Sequence, residues 1–107
     1  MTTLLALFRR PDGGDQALAT FLRRYETEHL PLIAATPGLR ATRVQHVSQA
    51  LGDSDLVVVT AMEFDDRAAL DAGLASDAMR QGGRNLREIA PGLATLLVLE
   101  DGLPAAR

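Results

Sequence analysis

Apolar positions along the chain fall into short dense runs separated by helical stripes. Residues 3–9 form one such run, ended by the turn formers Pro11, Asp12, Gly13 and Gly14, and it reads as a strand covered on both faces. Leu18, Leu22, Tyr25, His29 and Leu32 then recur at steps of three and four, with Phe21 widening the stripe and Asp15 placed to cap it. This spacing predicts a helix with one buried face. Pro31 lacks an amide and clashes with the carbonyl four residues back, so the regular helix is expected to end or kink around Glu28 to Leu30. His29 would then stand at a helix end.

Thr36-Pro37-Gly38 resets the backbone before a strand expected over residues 39–49, whose two faces are mixed. Leu51 to Asp55 gives a turn, and the β-branched run from Leu56 to Phe64 predicts a strand that pairs with the previous one as an antiparallel hairpin. Asp65 and Asp66 open a second helical region that is interrupted at Gly73, restarts at Ser76 and runs through Gly82-Gly83 to Ile89. Pro91-Gly92 stops it before a last strand over 93–100, and residues 101–107 are expected to form a tail. The order β-α-β, β-α-β is the ferredoxin-like arrangement. It is an α+β fold with a four-stranded antiparallel sheet and helices on one face, in a single domain over 1–107 with its core at about 3–100.

Such a sheet leaves one face without helices, and strands that are apolar on both parities would expose that face in a monomer. Burial against a second copy through the sheet faces is the expected remedy, with an apolar pocket between the sheets. Val58, Thr60 and Met62 share one parity, and with Arg43 and Gln45 they are candidate ligand-binding residues. Which parity faces the pocket is left open.

Charge and composition narrow the partners. Eleven basic residues against 14 acidic give a formal charge of −3, and every basic residue is an arginine, scattered without aromatic platforms. Nucleic acid is a poor match for that distribution. The absence of cysteine removes disulfides, thiolate ligands and a cysteine nucleophile. No apolar run approaches the roughly 20 residues of a membrane span. In the first segment the charges follow the apolar run, opposite to a secretory peptide, so a cytoplasmic location is expected. Gly13-Gly14 and Gly82-Gly83 lack the lysine of a phosphate loop. His46 with Asp53 and Asp55 reads as turn chemistry; no metal and no cofactor are called for, although spacing leaves a haem ligand at His29 open.

His29 alone combines proton-transfer chemistry with a position on an apolar face. It is either a cation stabilised at a helix C-terminus or a pocket-edge acid/base whose ordinary pKa near 6.5 suits proton transfer. Tyr25, one turn earlier, is a candidate hydrogen-bond donor to the same cavity or a core ring. Glu28 projects about 100° away from His29 on a regular helix, which makes it a poor direct partner.

Tyr25 to Leu32 followed by Pro37-Gly38-Leu39, together with Met62 to Leu70 before Ser76-Asp77-Ala78-Met79, resembles the EthD family of small dimeric α+β-barrel proteins over nearly the whole chain. Glu26 stands where a Trp is common in that family, which weakens a role in substrate stacking. The resemblance implies a homodimer with sheets packed face to face and an apolar pocket on each side. It sits in a superfamily that includes lactone isomerases, polyketide cyclases, cofactor-free oxygenases and haem-degrading enzymes. The function expected is binding of a small apolar organic molecule, with His29 as acid/base in an isomerase, cyclase or oxygenase-like step. The alternative is a non-enzymatic accessory or ligand-carrying protein serving a partner oxidase, and a third possibility is a structural dimer with no cavity.

Overall fold

Alternation along the first strand, β1 (Thr2–Arg9), sets the two faces of the sheet. Thr2, Leu4, Ala6 and Phe8 are buried, whereas Thr3, Leu5, Leu7 and Arg9 are only partly so. The period of two sends the first set under the helices and the second to the opposite side. The computed structural model describes residues 1–103. β1 lies between β3 (Leu56–Phe64) and β4 (Ala94–Glu100), and β2 (Leu39–His46) flanks β3, giving an antiparallel sheet of order β2-β3-β1-β4. Ala6 stands opposite Thr60 and Leu96, and Leu5 opposite Ala61 and Leu97. The expected ferredoxin-like α+β topology is the one observed. Of the expected tail, residues 104–107 lie outside the described residues.

The helices are α1 (Gly14–Arg24), a π turn over Tyr25–His29, α2 (Leu30–Ala34), α3 (Arg67–Leu74) and α4 (Asp77–Ile89). Phe21, Tyr25, Ile33, Leu70 and Ile89 from this layer meet Leu4, Ala6, Phe8, Val58, Met62 and Phe64 from the sheet in one core. With extents of 40 × 39 × 19 Å, the molecule is one sheet and one helical layer thick. Asp66 caps α3 by accepting from the Ala69 amide at 2.8 Å, and Ser76 caps α4 by accepting from the Met79 amide at 3.3 Å. Asp15 is not the cap of α1. Gly13 and Gly14, both at positive φ, turn the chain so that the helix begins at Gly14, leaving Asp15 in the first turn with its carboxylate on Arg10 at 2.5 Å.

Pro31 does not end the helical run either. Helix resumes at Leu30 and continues to Ala34, so His29 lies inside the run and not at its end. The break is a widening, in which the Leu30 amide reaches back five residues to the Tyr25 carbonyl. Thr27 contributes by donating its hydroxyl to the Arg23 carbonyl at 2.8 Å, which competes with the regular ladder.

Gly73 and Gly82 let the helices approach their neighbours. A Cβ on Gly73 would fall 2.9 Å from Phe64 Cε2 and 3.1 Å from Thr36 Cγ2, and one on Gly82 would fall 3.1 Å from Ile33 Cγ2. In an unhindered helix, Gly to Ala gains about 1 kcal/mol. At Gly73, overpacking against the fully buried Phe64 ring outweighs that gain. Gly73→Ala is expected to lower stability by about 1–2 kcal/mol in urea denaturation; a variant as stable as the parent would show that Phe64 yields freely.

Candidate functional site

Phe21, Tyr25, His29 and Ile33 are exposed by only 2, 3, 4 and 2%. They are spaced by four residues throughout. On a regular helix each such step drifts roughly 40° around the axis, so the row would leave the core within three steps. The π turn underwinds the run and holds all four on the inward side. Leu22, in the regular α1 ahead of the turn, faces outward at 38% exposure, and beyond the turn Ile33 replaces Leu32 as the buried position. The expected stripe is corrected accordingly.

Phe8, Phe21 and Tyr25 form an aromatic cluster with ring centroids 5.0–5.8 Å apart. His29 stacks on Tyr25 at 5.1 Å and 27° between planes. Tyr25 reaches across to β3, where its hydroxyl is hydrogen bonded to that of Thr60 at 2.5 Å. Burial pushes the phenol up to about 12, so it stays protonated near neutrality. Beside this pair is a cavity of about 120 Å³ between the sheet and the helices, walled mainly by Leu4, Met62, Met79, Leu86 and Leu96, with His29 and Tyr25 on its rim. An apolar cavity of about 150 Å³ is enough for a benzene, so this volume suits a small fragment and falls below the ~300 Å³ and upward of typical ligand sites.

The imidazole is held from one side. Its Nδ1 lies 3.2 Å from Asn85 Oδ1, and the Asn85 amide donates from Nδ2 to Glu28 Oε1 at 3.1 Å. Glu28 is gripped by Arg24, whose Nε and Nη2 donate to its two oxygens at 2.6 and 3.0 Å, and Arg24 also reaches Glu88 at 2.9 Å. Hydrogen bonding from Arg24 keeps the Glu28 carboxyl below its usual range. Burial lowers the His29 pKa, partly offset by Asn85, so the ring is neutral at pH 7. His29 also stands inside the helical run, which continues to Ala34, and not at the helix C-terminus that the dipole-stabilised cation would need.

The remaining candidates do not share one wall. Val58, Thr60 and Met62 face the helices, and Met62 lines the cavity. Arg43 pairs with Ala61 and Gln45 with Val59, which puts both on the helix-free side. Arg40 is occupied by Asp65 at 2.9 and 3.0 Å. Asn85 is the residue that sequence reasoning missed. Its signal was a helix interior, Gly82-Gly83-Arg84-Asn85, holding three poor helix formers in four positions.

The antiparallel βαββαβ sheet with its helices on one side defines a ferredoxin-like α+β domain. Within that class the chain is similar to the solved structure of an ethyl tert-butyl ether D (EthD) family protein from Bacillus halodurans C-125, at 29% identity over 95% of this chain and 99% of that one, with a TM-score of 0.84. The EthD resemblance read from its motifs is thereby borne out. A DABB family protein with a ferredoxin-like fold from Mesorhizobium loti shares the fold at 12% identity, covering 98% of each chain with a TM-score of 0.71. So does a protein from Bacteroides fragilis described as dimeric and of unknown function, at 16% identity over 92% of this chain and 94% of that one, with a TM-score of 0.68. No protein-family model and no curated protein sequence matches the chain. Among the described residues no helix is long and apolar enough to cross a membrane.

Two measurements check the site. Thr60→Val leaves the Tyr25 hydroxyl buried without its partner, at an expected cost of about 1–3 kcal/mol, whereas adding Tyr25→Phe recovers much of it; additive losses in urea denaturation would show that the two hydroxyls do not interact. For His29, the unfolded chain takes up a proton below 6.5 while the folded chain does not until its lower pKa is reached, so stability is full above 6.5 and is lost as pH falls through that window. His29→Leu should remove this slope from the urea midpoint between about pH 7.5 and 5; an unchanged slope would place the titrating group elsewhere.

Proposed function

We propose that the chain is a single-domain, cytoplasmic, homodimeric protein of EthD type that takes a small apolar organic molecule at His29, where the imidazole acts as acid/base in an isomerisation, cyclisation or cofactor-independent oxidation. The observation that carries this reading is the placement of His29: a buried imidazole, 4% exposed, lining an apolar cavity. Its Nδ1 is engaged by Asn85, which leaves Nε2 as the ring nitrogen available to a molecule in the cavity that His29 lines. A neutral imidazole in such a place has no structural need for its second nitrogen, and it can remove a proton from a bound molecule at neutral pH. Tyr25 supports the ring by stacking, with its hydroxyl shared with Thr60.

Homodimerisation is supported by the helix-free face, where Leu97 and Leu99 are 42 and 45% exposed beside Leu5, Leu7, Val57 and Val59. The fold neighbour from Bacteroides fragilis is itself described as dimeric. On this reading Arg43 and Gln45 lie on the sheet-to-sheet side and contact the partner sooner than the ligand. The carrier alternative is favoured by one feature, the cavity's size of about 120 Å³ with a largely apolar lining, which asks for little more than shelter of a small molecule.

Sedimentation equilibrium is expected to return twice the 11.5 kDa chain mass, and Leu97→Asp to shift it to monomer by placing a charge in the apolar contact. Crystals grown with short-chain alcohols and enolisable ketones, which are smaller than a benzene, should show density beside His29; a cavity left empty by both classes would refute ligand binding at this site. His29→Ala should preserve the dimer and abolish turnover, and a variant that turns over normally would leave the carrier reading.

A further inference from the structure

Asn85 joins His29 to charges that lie outside the cavity. A carboxamide can present either its oxygen or its NH2 to a neighbour, and Glu28 removes that freedom. The Glu28 oxygen 3.1 Å from Asn85 accepts only, so it requires the Nδ2 donor, and the amide oxygen is left to face His29 Nδ1 at 3.2 Å. An oxygen there can only accept, so the proton must sit on Nδ1. Arg24 makes the first step firm, because two hydrogen bonds from its guanidinium hold Glu28 in its charged form. Glu88 anchors Arg24 from α4 at 2.9 Å, tying the two helices together on the outside of the site.

We propose that Asn85, oriented by Glu28 and Arg24, is a positioning residue that fixes neutral His29 as the Nδ1–H tautomer and so turns an unprotonated Nε2 toward the cavity. The consequence is a polarity for the ligand. Nε2 presents a lone pair, so the group it takes is a donor, an O–H, an N–H or a C–H made acidic by a neighbouring carbonyl, on an otherwise apolar body. A ligand offering only a carbonyl or ether oxygen would meet that lone pair unfavourably. Depression of the His29 pKa by burial agrees, since the ring then stays neutral and keeps the tautomer that Asn85 selects. The other titratable groups against the ring are Tyr25, which stays protonated, and Glu28, which acts through Asn85; the sheet side offers Leu4 and Met62.

This inference rests on the reading of His29 as the functional group, and its test separates the two. In the full-length protein with 15N-labelled histidine at pH 8, two-bond 1H–15N correlation should show His29 with a protonated Nδ1 and an unprotonated Nε2. His46, which is exposed, serves as the internal reference for an unconstrained ring. Asn85→Leu, similar in size but unable to accept, should move His29 to the Nε2–H form, and Glu28→Gln, which can present either end of its amide to Asn85, should give a mixture. An Nε2–H tautomer in the parent protein, or an Nδ1–H tautomer that persists in Asn85→Leu, would overturn the proposal. A parent Nδ1–H tautomer that is lost in Asn85→Leu, together with a His29→Ala protein that binds a small enolisable ketone as tightly as the parent, would support the relay while removing His29 as the group that holds the bound molecule.

Discussion

A helical run that carries Phe21, Tyr25, His29 and Ile33 inward at intervals of four cannot be a uniform α-helix, and the wide turn at Tyr25–His29 is the way the chain meets that constraint. The rest of the site follows from it. With the turn in place, the Tyr25 ring lies against Phe8 and Phe21 and its hydroxyl meets Thr60 on β3, so the helix is pinned to the central strands by packing and by one buried polar contact. His29 stacks on the same ring, and Gly82 leaves room for it from the opposite helix, where a Cβ would come within 3.5 Å of His29 Cε1. Glu28, the neighbouring residue, lies on the outer side, near enough to Asn85 to orient the amide that His29 meets. A regular helix would offer the core a different set of side chains.

Burial in this molecule is one-sided, and the sheet shows where it is incomplete. The even positions of β1 and β3 are closed under the helices, while β4 exposes Leu96, Leu97, Val98 and Leu99 by 53, 42, 37 and 45%. An edge strand with apolar side chains on both faces and no inward charge is a surface that other strands and sheets recognise. Among the described residues, charges gather only near its end, where Arg67 reaches toward Glu100 at 3.8 Å and the N-terminal ammonium toward Asp101 at 4.0 Å. On the proposed reading a second copy covers the face bearing Leu97 and Leu99. Leu96 belongs to the other face, where it borders the cavity, so a copy docked on the bare face would leave that wall of the cavity uncovered.

The elements were legible in the sequence where one signal dominated. The β-branched run at Leu56–Phe64, the acidic start at Asp65-Asp66 and the serine cap at Ser76 gave a strand and two helix starts that the structure repeats. In the helix holding His29, a spacing of three and four continued unchanged points to Leu32 where the structure buries Ile33, and the end or kink expected of Pro31 takes the form of a widened turn ahead of it, with helix resuming at Leu30. The stripe Leu18, Leu22, Tyr25, His29, Leu32 and the row Phe21, Tyr25, His29, Ile33 share two members; only the local pitch chooses between them, and pitch is set by contacts with β3 and α4 that are distant in sequence. The same distance hid Asn85, 56 residues from His29. The split of Arg43 and Gln45 from Val58, Thr60 and Met62 was undecidable for a related reason, since parity within each strand is plain but the pairing between strands is fixed only in the folded sheet.

The use of an amide between His29 and the Arg24–Glu28 pair has an electrostatic rationale. A carboxylate placed directly against Nδ1 would fix the same tautomer, but it would also favour the imidazolium and raise the pKa. At neutral pH the ring would then carry a proton on both nitrogens and offer the cavity a donor and a charge, and a charge beside Leu4, Met62 and Leu86 would meet the desolvation that already lowers this pKa. Asn85 transmits the orientation and withholds the charge. The negative end of the chain stays with Glu28, partly exposed and matched by Arg24 in the solvent-facing layer, where opposite charges cost little to hold together. On the proposed reading, what reaches the cavity is a neutral ring with one lone pair, the form that would accept a proton from a neutral, mostly apolar molecule without first surrendering one of its own.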